Sequence, residues 1–148
     1  MKRALSLVLC LCLAASLFMG LTAVAGAETP PEDRDLIILF TSDAHCSVDQ
    51  GWGYTGLYTI REQLSQSYNV LLVDDGDAIQ GKPIGLLTNG EAIIDIMNVM
   101  GYDAAIPGNH EFAYGVEQFL ALTERANFPY LSCNFNKEGE LIFQPWLI

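Results

Sequence analysis

The stretch LIILFTSDAH, residues 36–45, joins an apolar run to a short polar segment. Its first six residues are mostly β-branched, leucine or aromatic, a composition typical of a strand buried on both faces of a parallel sheet. Polar and metal-capable side chains follow at once, at the end of the strand where parallel sheets gather their ligands. The stretch therefore predicts the first strand of an α/β sheet with a candidate binding loop behind it.

The rest of the chain repeats this alternation of strand and helix. Further short apolar strands are predicted at 69–73, 103–106 and 129–132, and a fifth strand could begin at Glu140. Apolar residues at helical spacing predict helices at 55–67, 92–100 and 116–126, the last with Val116, Phe119, Leu120 and Thr123 on its packed side. The order β-α-β-α-β-α-β indicates a largely parallel sheet with helical crossovers, and the helical Met and Leu stripes indicate core packing.

Residues 1–27 have the composition of an export signal. Lys2 and Arg3 precede a long apolar run, and small residues close it, which predicts cleavage near Ala25 or Ala27. An uncleaved anchor is the alternative, because the apolar run is just long enough to span a bilayer.

Residues 28–35 form a polar, proline-containing linker that we expect to be poorly ordered, ahead of a domain at 36–148. Without the signal, five basic residues oppose 18 acidic ones, a net charge of −13. This charge disfavours nucleic acid and anionic membranes as partners. It still permits a phosphate substrate, because bound divalent ions can dominate the local field. We expect an exported protein, periplasmic, cell-wall-associated or extracellular, with no membrane contact after cleavage.

Two cysteines, Cys46 and Cys133, remain after signal cleavage. They could pair in an oxidising compartment. One pair is not a disulfide framework, however, so both are interpreted as small core or near-site residues.

Each of the first three predicted strands ends in polar residues. The segments are 42–45 (SDAH), 74–77 (DDGD) and 107–111 (PGNHE). Because carboxyl ends of parallel strands meet at one edge of a sheet, the three loops should lie side by side. This convergence is the main functional signal in the sequence.

The chemistry of these loops suits divalent metal ions. Asp43 and His45 are two apart, so an extended backbone would put both side chains on one side to share an ion. Asp77 follows a glycine that permits a tight turn, and its two oxygens can bridge two ions. Asn109 offers a neutral carbonyl oxygen as a further hard ligand, and His110 beside it could face a substrate. Two ions about 3.5–4 Å apart can clamp a phosphate.

Each motif alone has a structural alternative. D-x-H occurs by chance, Gly-Asn-His can be an ordinary loop, and the aspartates Asp74, Asp75 and Asp77 can cap a turn or helix. Three such motifs, each behind a predicted buried strand in a chain with two histidines, favour the functional interpretation.

Together, ILFTSDAHC, VLLVDDGDAIQG and GNHEF resemble the calcineurin-like metallophosphoesterases. They are most similar to the exported 5′-nucleotidase / 2′,3′-cyclic phosphodiesterase family, which includes UDP-sugar hydrolases. The resemblance extends from Leu36 through FPYLSCN to the closing FQPWLI. It implies a β-sandwich flanked by helices, a four-layer α/β/β/α fold, of which this chain holds the first half. The family's C-terminal nucleotide-binding domain is not in the sequence.

The resemblance also implies roles for individual residues. Asp43 and His45 would bind one divalent ion, Asp77 would bridge two, and Asn109 would bind the second; Zn, Mn, Mg, Ca and Fe are all compatible. His110 would be catalytic rather than a ligand, stabilising the transferring phosphoryl group and the leaving oxygen. Metal-activated water would attack phosphorus in line.

Three positions depart from the family pattern. Cys46 replaces a glycine and is expected to pack, and Asp75 replaces a small residue and is expected to face solvent. Ala113 stands where GNHEFD has a carboxylate that orients the histidine. Losses of this kind typically reduce affinity or activity about 10–100-fold, so we expect a slower enzyme or a different orienting group.

No histidine follows His110, so the later histidine ligands of the family are absent and the chain supplies half of a binuclear site. We expect this segment alone to be inactive. The implied function of the whole is an exported, metal-dependent phosphoester hydrolase acting on nucleotides. A non-catalytic metal- or ligand-binding fragment, or a thioester or other sulfur-ester hydrolase using the same site, are the alternatives.

Overall fold

The computed structural model describes residues 33–146. The predicted signal at 1–27 and most of the predicted linker at 28–35 therefore lie outside the described residues. Within 33–146, no helix combines the length and apolarity needed to cross a bilayer.

The end of the predicted linker is attached to the sheet. The backbone carbonyl of Arg34 accepts a hydrogen bond from Asn69 Nδ2 at 3.0 Å, and that of Asp35 accepts one from Asn69 N at 3.0 Å. The last two residues of the predicted linker are thus bonded to the start of the second strand.

A parallel sheet positions the candidate loops. Strands β1 (Leu36–Thr41), β2 (Asn69–Asp74) and β3 (Ala104–Ala105) lie in the order β1-β2-β3. The predicted parallel arrangement is confirmed for these three. The predicted fourth strand is reduced to isolated parallel bridges, in which Tyr130 pairs with Ala105 and Leu131 pairs with Gln144.

Helices connect the strands on the predicted pattern, with additions that the sequence did not indicate. The α-helices are α1 (Gly53–Ser65), α2 (Pro83–Thr88), α3 (Glu91–Met100) and α4 (Val116–Arg125). Helix α2 and a single 3₁₀ turn at His110–Phe112 were not predicted. The expected fifth strand is also different: β5 (Glu140–Leu141) pairs antiparallel with β4 (Asn136–Lys137) as a small separate hairpin.

The core lies between the sheet and the helices. Ile93, Met97 and Met100 of α3 are buried, which confirms core packing for that stripe. The predicted packed side of α4 was partly wrong. Phe119 and Leu122 are buried, whereas Val116 and Leu120 are exposed, so the packed face is rotated around the helix.

The prediction that β1 is buried on both faces was wrong. Leu36, Ile38 and Phe40 are 57–69% exposed, while the alternate residues of the strand turn toward the core. Within the described residues, the helices cover only one face of the sheet. The described residues thus provide one sheet with helices on one side, and they leave an apolar face of that sheet exposed.

Candidate metal centre

The loops after β1 and β2 run side by side and are joined by backbone hydrogen bonds. The amides of Asp43, His45 and Cys46 donate to the carbonyls of the 76–78 segment, at 3.0, 3.0 and 2.9 Å. The structure therefore places the D-x-H loop directly against the loop that carries Asp77, as the sheet order requires.

These two loops contain an unusual concentration of left-handed backbone. Asp43, His45, Cys46 and Asp77 have φ values of 52°, 44°, 60° and 60°. Such positive φ is uncommon outside glycine and costs of order 1–3 kcal/mol per residue. The extended backbone expected for Asp43 and His45 was therefore wrong. Their side chains still approach each other, with Asp43 Oδ1 3.9 Å from His45 Nε2.

The third loop, residues 107–111, packs directly against Asp77. The amide of His110 donates to Asp77 Oδ1 at 2.8 Å. A Cβ added to Gly108 would overlap the Asp77 carboxylate, and one added to Gly76 would lie 2.5 Å from Gly108 N. Two glycines thus permit the close approach that puts Asp77 and His110 together.

A buried carboxylate ties the second and third loops to each other. Glu111 is fully buried; Oε2 accepts from the amides of Asp77 and Gly108 at 2.8 and 2.7 Å, and Oε1 accepts from Ala78 N at 2.8 Å. Sequence reasoning gave Glu111 no role. The only signal was an acidic residue one position past the candidate imidazole, within a motif that the helical and strand patterns do not explain.

Three side chains at this edge could share a metal ion. One ligand atom each from His45, Asp77 and His110 lies within 4.8 Å of the others, and all three residues are half-buried. The two imidazoles meet edge to face, with ring centroids 4.7 Å apart. Imidazole nitrogen and carboxylate oxygen suit Zn, Mn or Fe, so the donor set fits a divalent ion.

The other sequence-predicted ligands lie at the rim of this cluster. The Asp43 side chain is 68% exposed beside His45, and Asn109 is exposed next to His110. The division of roles, with Asp43, His45, Asp77 and Asn109 as ligands and His110 as the catalytic group, remains a prediction. The structure brings a ligand atom of His110 into the same 4.8 Å cluster as those of His45 and Asp77.

Both histidines are held by one residue that sequence reasoning missed. His45 Nδ1 lies 2.9 Å from the backbone oxygen of Gln80, and His110 Nδ1 lies 2.6 Å from its side-chain oxygen Oε1. Ala113 is exposed, and its methyl group offers no acceptor to His110. The only sequence signal for Gln80 was its place in the quoted GDAIQG segment.

The remaining acidic residues of the second loop differ sharply in environment. Asp74 is buried, and it accepts hydrogen bonds from Thr41 Oγ1 at 2.5 Å and Gly76 N at 3.0 Å, while Tyr102 contacts the same hydroxyl. Burial raises the pKa of Asp74 to about 6, against the opposing effect of these hydrogen bonds. Asp75 is exposed, as expected.

The two cysteines among the described residues are free thiols. Cys46 is buried, with Sγ 3.5 Å from the oxygen of Ala78, and burial raises its thiol pKa. Cys133 is exposed. The expectation that Cys46 packs in place of the usual glycine agrees with this position.

The fold and the site together define an α/β protein with a candidate divalent metal centre at the carboxyl edge of a parallel sheet. Residues 36–145 match the model of the calcineurin-like phosphoesterases, and the chain belongs to that family.

Two nucleotidases are similar in sequence to this chain. A 2′,3′-cyclic-nucleotide 2′-phosphodiesterase/3′-nucleotidase of Yersinia enterocolitica is 35% identical over 95% of this chain and 24% of its own length. A snake venom 5′-nucleotidase of Gloydius brevicauda is 36% identical over 72% of this chain and 21% of its own length. The chain therefore spans about a quarter or less of these curated relatives.

A solved structure shows the same fold. The calcineurin-like phosphoesterase YfkN of Bacillus subtilis aligns with a TM-score of 0.60 and 32% identity, covering 73% of this chain and 40% of the YfkN chain. The fold expected from the three motifs, with only its first half represented, is thereby confirmed.

Proposed function

We propose that this chain is the metal-binding first part of an exported phosphoester hydrolase that acts on nucleotides or related small phosphate esters. The carrying observation is the cluster of His45, Asp77 and His110, whose ligand atoms lie within 4.8 Å of one another. Membership in the calcineurin-like phosphoesterases and the nucleotidase names of two relatives support the substrate class.

In this proposal, four residues bind metal ions and one contacts the substrate phosphate. Asp43 and His45 would hold one divalent ion, Asp77 would contribute an oxygen to each of two ions, and Asn109 would contribute to the second. Bound ions of this kind neutralise phosphate charge and lower the pKa of a bound water. His110 contacts the transferring phosphoryl group and the leaving oxygen, where an imidazole can supply a hydrogen bond or a proton.

The architecture of the whole protein is also a proposal. Residues 1–27 are the signal, 28–35 is a linker and 36–148 is the first part of the catalytic domain. The greater length of the relatives supports further polypeptide that carries the remaining ligands and the nucleoside contacts.

The test is hydrolysis by the complete polypeptide that carries this segment, supplied with Mn or Zn. The panel comprises 5′- and 3′-nucleotides, 2′,3′-cyclic nucleotides, UDP-sugars and a sulfur ester. We expect turnover of at least one phosphate ester, abolished by Asp77→Ala and reduced about 10²–10⁴-fold by His110→Ala. Inactivity across the phosphate esters, or activity only on the sulfur ester, would overturn the proposal.

A further inference from the structure

The two imidazoles of the candidate site converge on a single residue. Gln80 presents its backbone oxygen to Nδ1 of His45 at 2.9 Å and its side-chain oxygen to Nδ1 of His110 at 2.6 Å. The two rings then meet edge to face. Within residues 33–146, no other hydrogen bond reaches a ring nitrogen of either histidine.

An oxygen facing an imidazole nitrogen determines which nitrogen carries the proton. A backbone carbonyl can only accept, so His45 must hold its proton on Nδ1 to make the contact. The same follows for His110, because Oε1 of the amide is also an acceptor. In both rings Nε2 then carries the lone pair. In His45 that lone pair can bind a metal ion, and in His110 it can take up the proton that the imidazolium would supply to the leaving oxygen.

The backbone next to Gln80 permits the close approach of its carbonyl to His45. Gly81 has a φ of +148°, and a Cβ at that position would lie 2.6 Å from the His45 oxygen and 2.7 Å from His45 Cβ. Only glycine therefore lets the 80–81 peptide approach His45 so closely. Ala113, where the family pattern has an orienting carboxylate, leaves the side chain of Gln80 as the acceptor that His110 uses.

We propose that Gln80 is the positioning residue of this site, orienting His45 through its backbone carbonyl and His110 through its side-chain carbonyl. For catalysis the inference rests on the proposed function, but the orientation itself is a property of the metal-free protein and can be measured without substrate.

The test is long-range ¹H–¹⁵N NMR of the histidine rings in the full 148-residue chain, with a chelator and in alkaline solution where imidazoles are neutral. The chain has two histidines, so two ring patterns are expected, assigned with His45→Gln. Both should show the proton on Nδ1. In Gln80→Leu, His110 should shift toward the Nε2-protonated form while His45, bound to a backbone oxygen that remains, keeps its pattern.

Two further variants complete the design. Gln80→Glu retains an acceptor oxygen and should preserve the Nδ1 proton on His110, whereas Gln63→Leu, at an exposed glutamine of α1, should alter neither ring. A proton on Nε2 of His110 in the unsubstituted chain would overturn the inference whether or not any variant folds. An unchanged His110 pattern in Gln80→Leu would do the same.

Activity provides a second, separable readout in the complete polypeptide. Gln80→Leu should lower kcat about 10–100-fold with little change in KM, and Gln80→Glu should restore most of it. The loss should be larger for a nucleotide than for a 4-nitrophenyl ester, because a poor leaving group depends more on His110. Equal losses on both substrates would refute the positioning role. Inactivity of the unsubstituted enzyme, with the NMR result intact, would refute the proposed function alone.

Discussion

The buried carboxylate of Glu111 is bonded to the backbone amide of Asp77, at 2.8 Å, rather than to any basic side chain in the described residues. Its other contacts, to Gly108 N and Ala78 N, place three donors on two oxygens. The carbonyls of residues 76–78 also accept hydrogen bonds from amides of the loop after β1. The Asp77 segment is therefore fixed from both sides before any ion binds.

Glu111→Gln should destabilise the protein by about 1–3 kcal/mol, because the amide puts a donor against at least one backbone donor inside the core. Urea unfolding at neutral pH measures this as a lower midpoint with an unchanged m-value. Glu124→Gln, at an exposed position of α4, is the matched control. Equal free energies of unfolding for the two variants would contradict the structural role of Glu111.

Gly81→Ala should destabilise the protein by more than backbone strain alone. The added Cβ would meet the His45 backbone at 2.6 Å, and positive φ costs of order 1–3 kcal/mol for a non-glycine residue. Gly115→Ala is the control, since Gly115 also has positive φ, at +94°, but nothing within 4 Å of an added Cβ. The difference in thermal midpoint between the variants isolates the contact with His45. If Gly115→Ala is the more damaging change, the close approach is not important.

Sequence patterns predicted the parallel sheet and the three converging loops because apolar runs and polar strand ends are local properties. They could not predict the backbone of Asp43 and His45, whose left-handed conformation depends on hydrogen bonds to residues more than 30 positions away. The same holds for Gln80 and Glu111, since neither carries a local pattern. The exposed face of β1 was missed because its sequence suits a buried strand whether or not the covering sheet is present.

Asp77→Asn should weaken binding of Mn or Zn about 10-fold or more, because it removes a carboxylate from the centre of the cluster. Asp75→Asn is the control: it removes the same charge from an exposed residue two positions before Asp77. It should change the metal affinity about twofold at most. Calorimetric titration of metal-free protein measures both. Equal losses would indicate a general electrostatic effect instead of direct coordination.

Asp74→Asn should change the pH dependence of stability. Because burial raises the pKa of Asp74 from 3.8 to about 6, the folded state favours its protonated form, and that stabilisation is lost as pH rises through this range. Relative to the unsubstituted protein, Asp74→Asn should gain up to about 3 kcal/mol between pH 3.5 and 7. Urea unfolding across this range is the measurement, with Asp75→Asn as the control for charge removal. A difference that stays constant, or declines with pH, would contradict the buried environment.

Ala113→Asp tests whether His110 lacks an orienting group. With Nδ1 of His110 already 2.6 Å from Gln80 Oε1, the new carboxylate should raise kcat less than about threefold in the otherwise unsubstituted complete enzyme. In a Gln80→Leu background, the same change should raise kcat about tenfold or more. The new carboxylate, three residues after His110 in the sequence, would then be the available acceptor for its ring. Steady-state kinetics on one nucleotide compares the four combinations of the two substitutions, and their effects on kcat should be strongly non-additive.

A large gain in kcat from Ala113→Asp alone would mean that Gln80 does not orient the ring. If kcat does not recover in the Gln80→Leu background, the loss comes from packing around His110 and not from its hydrogen bond.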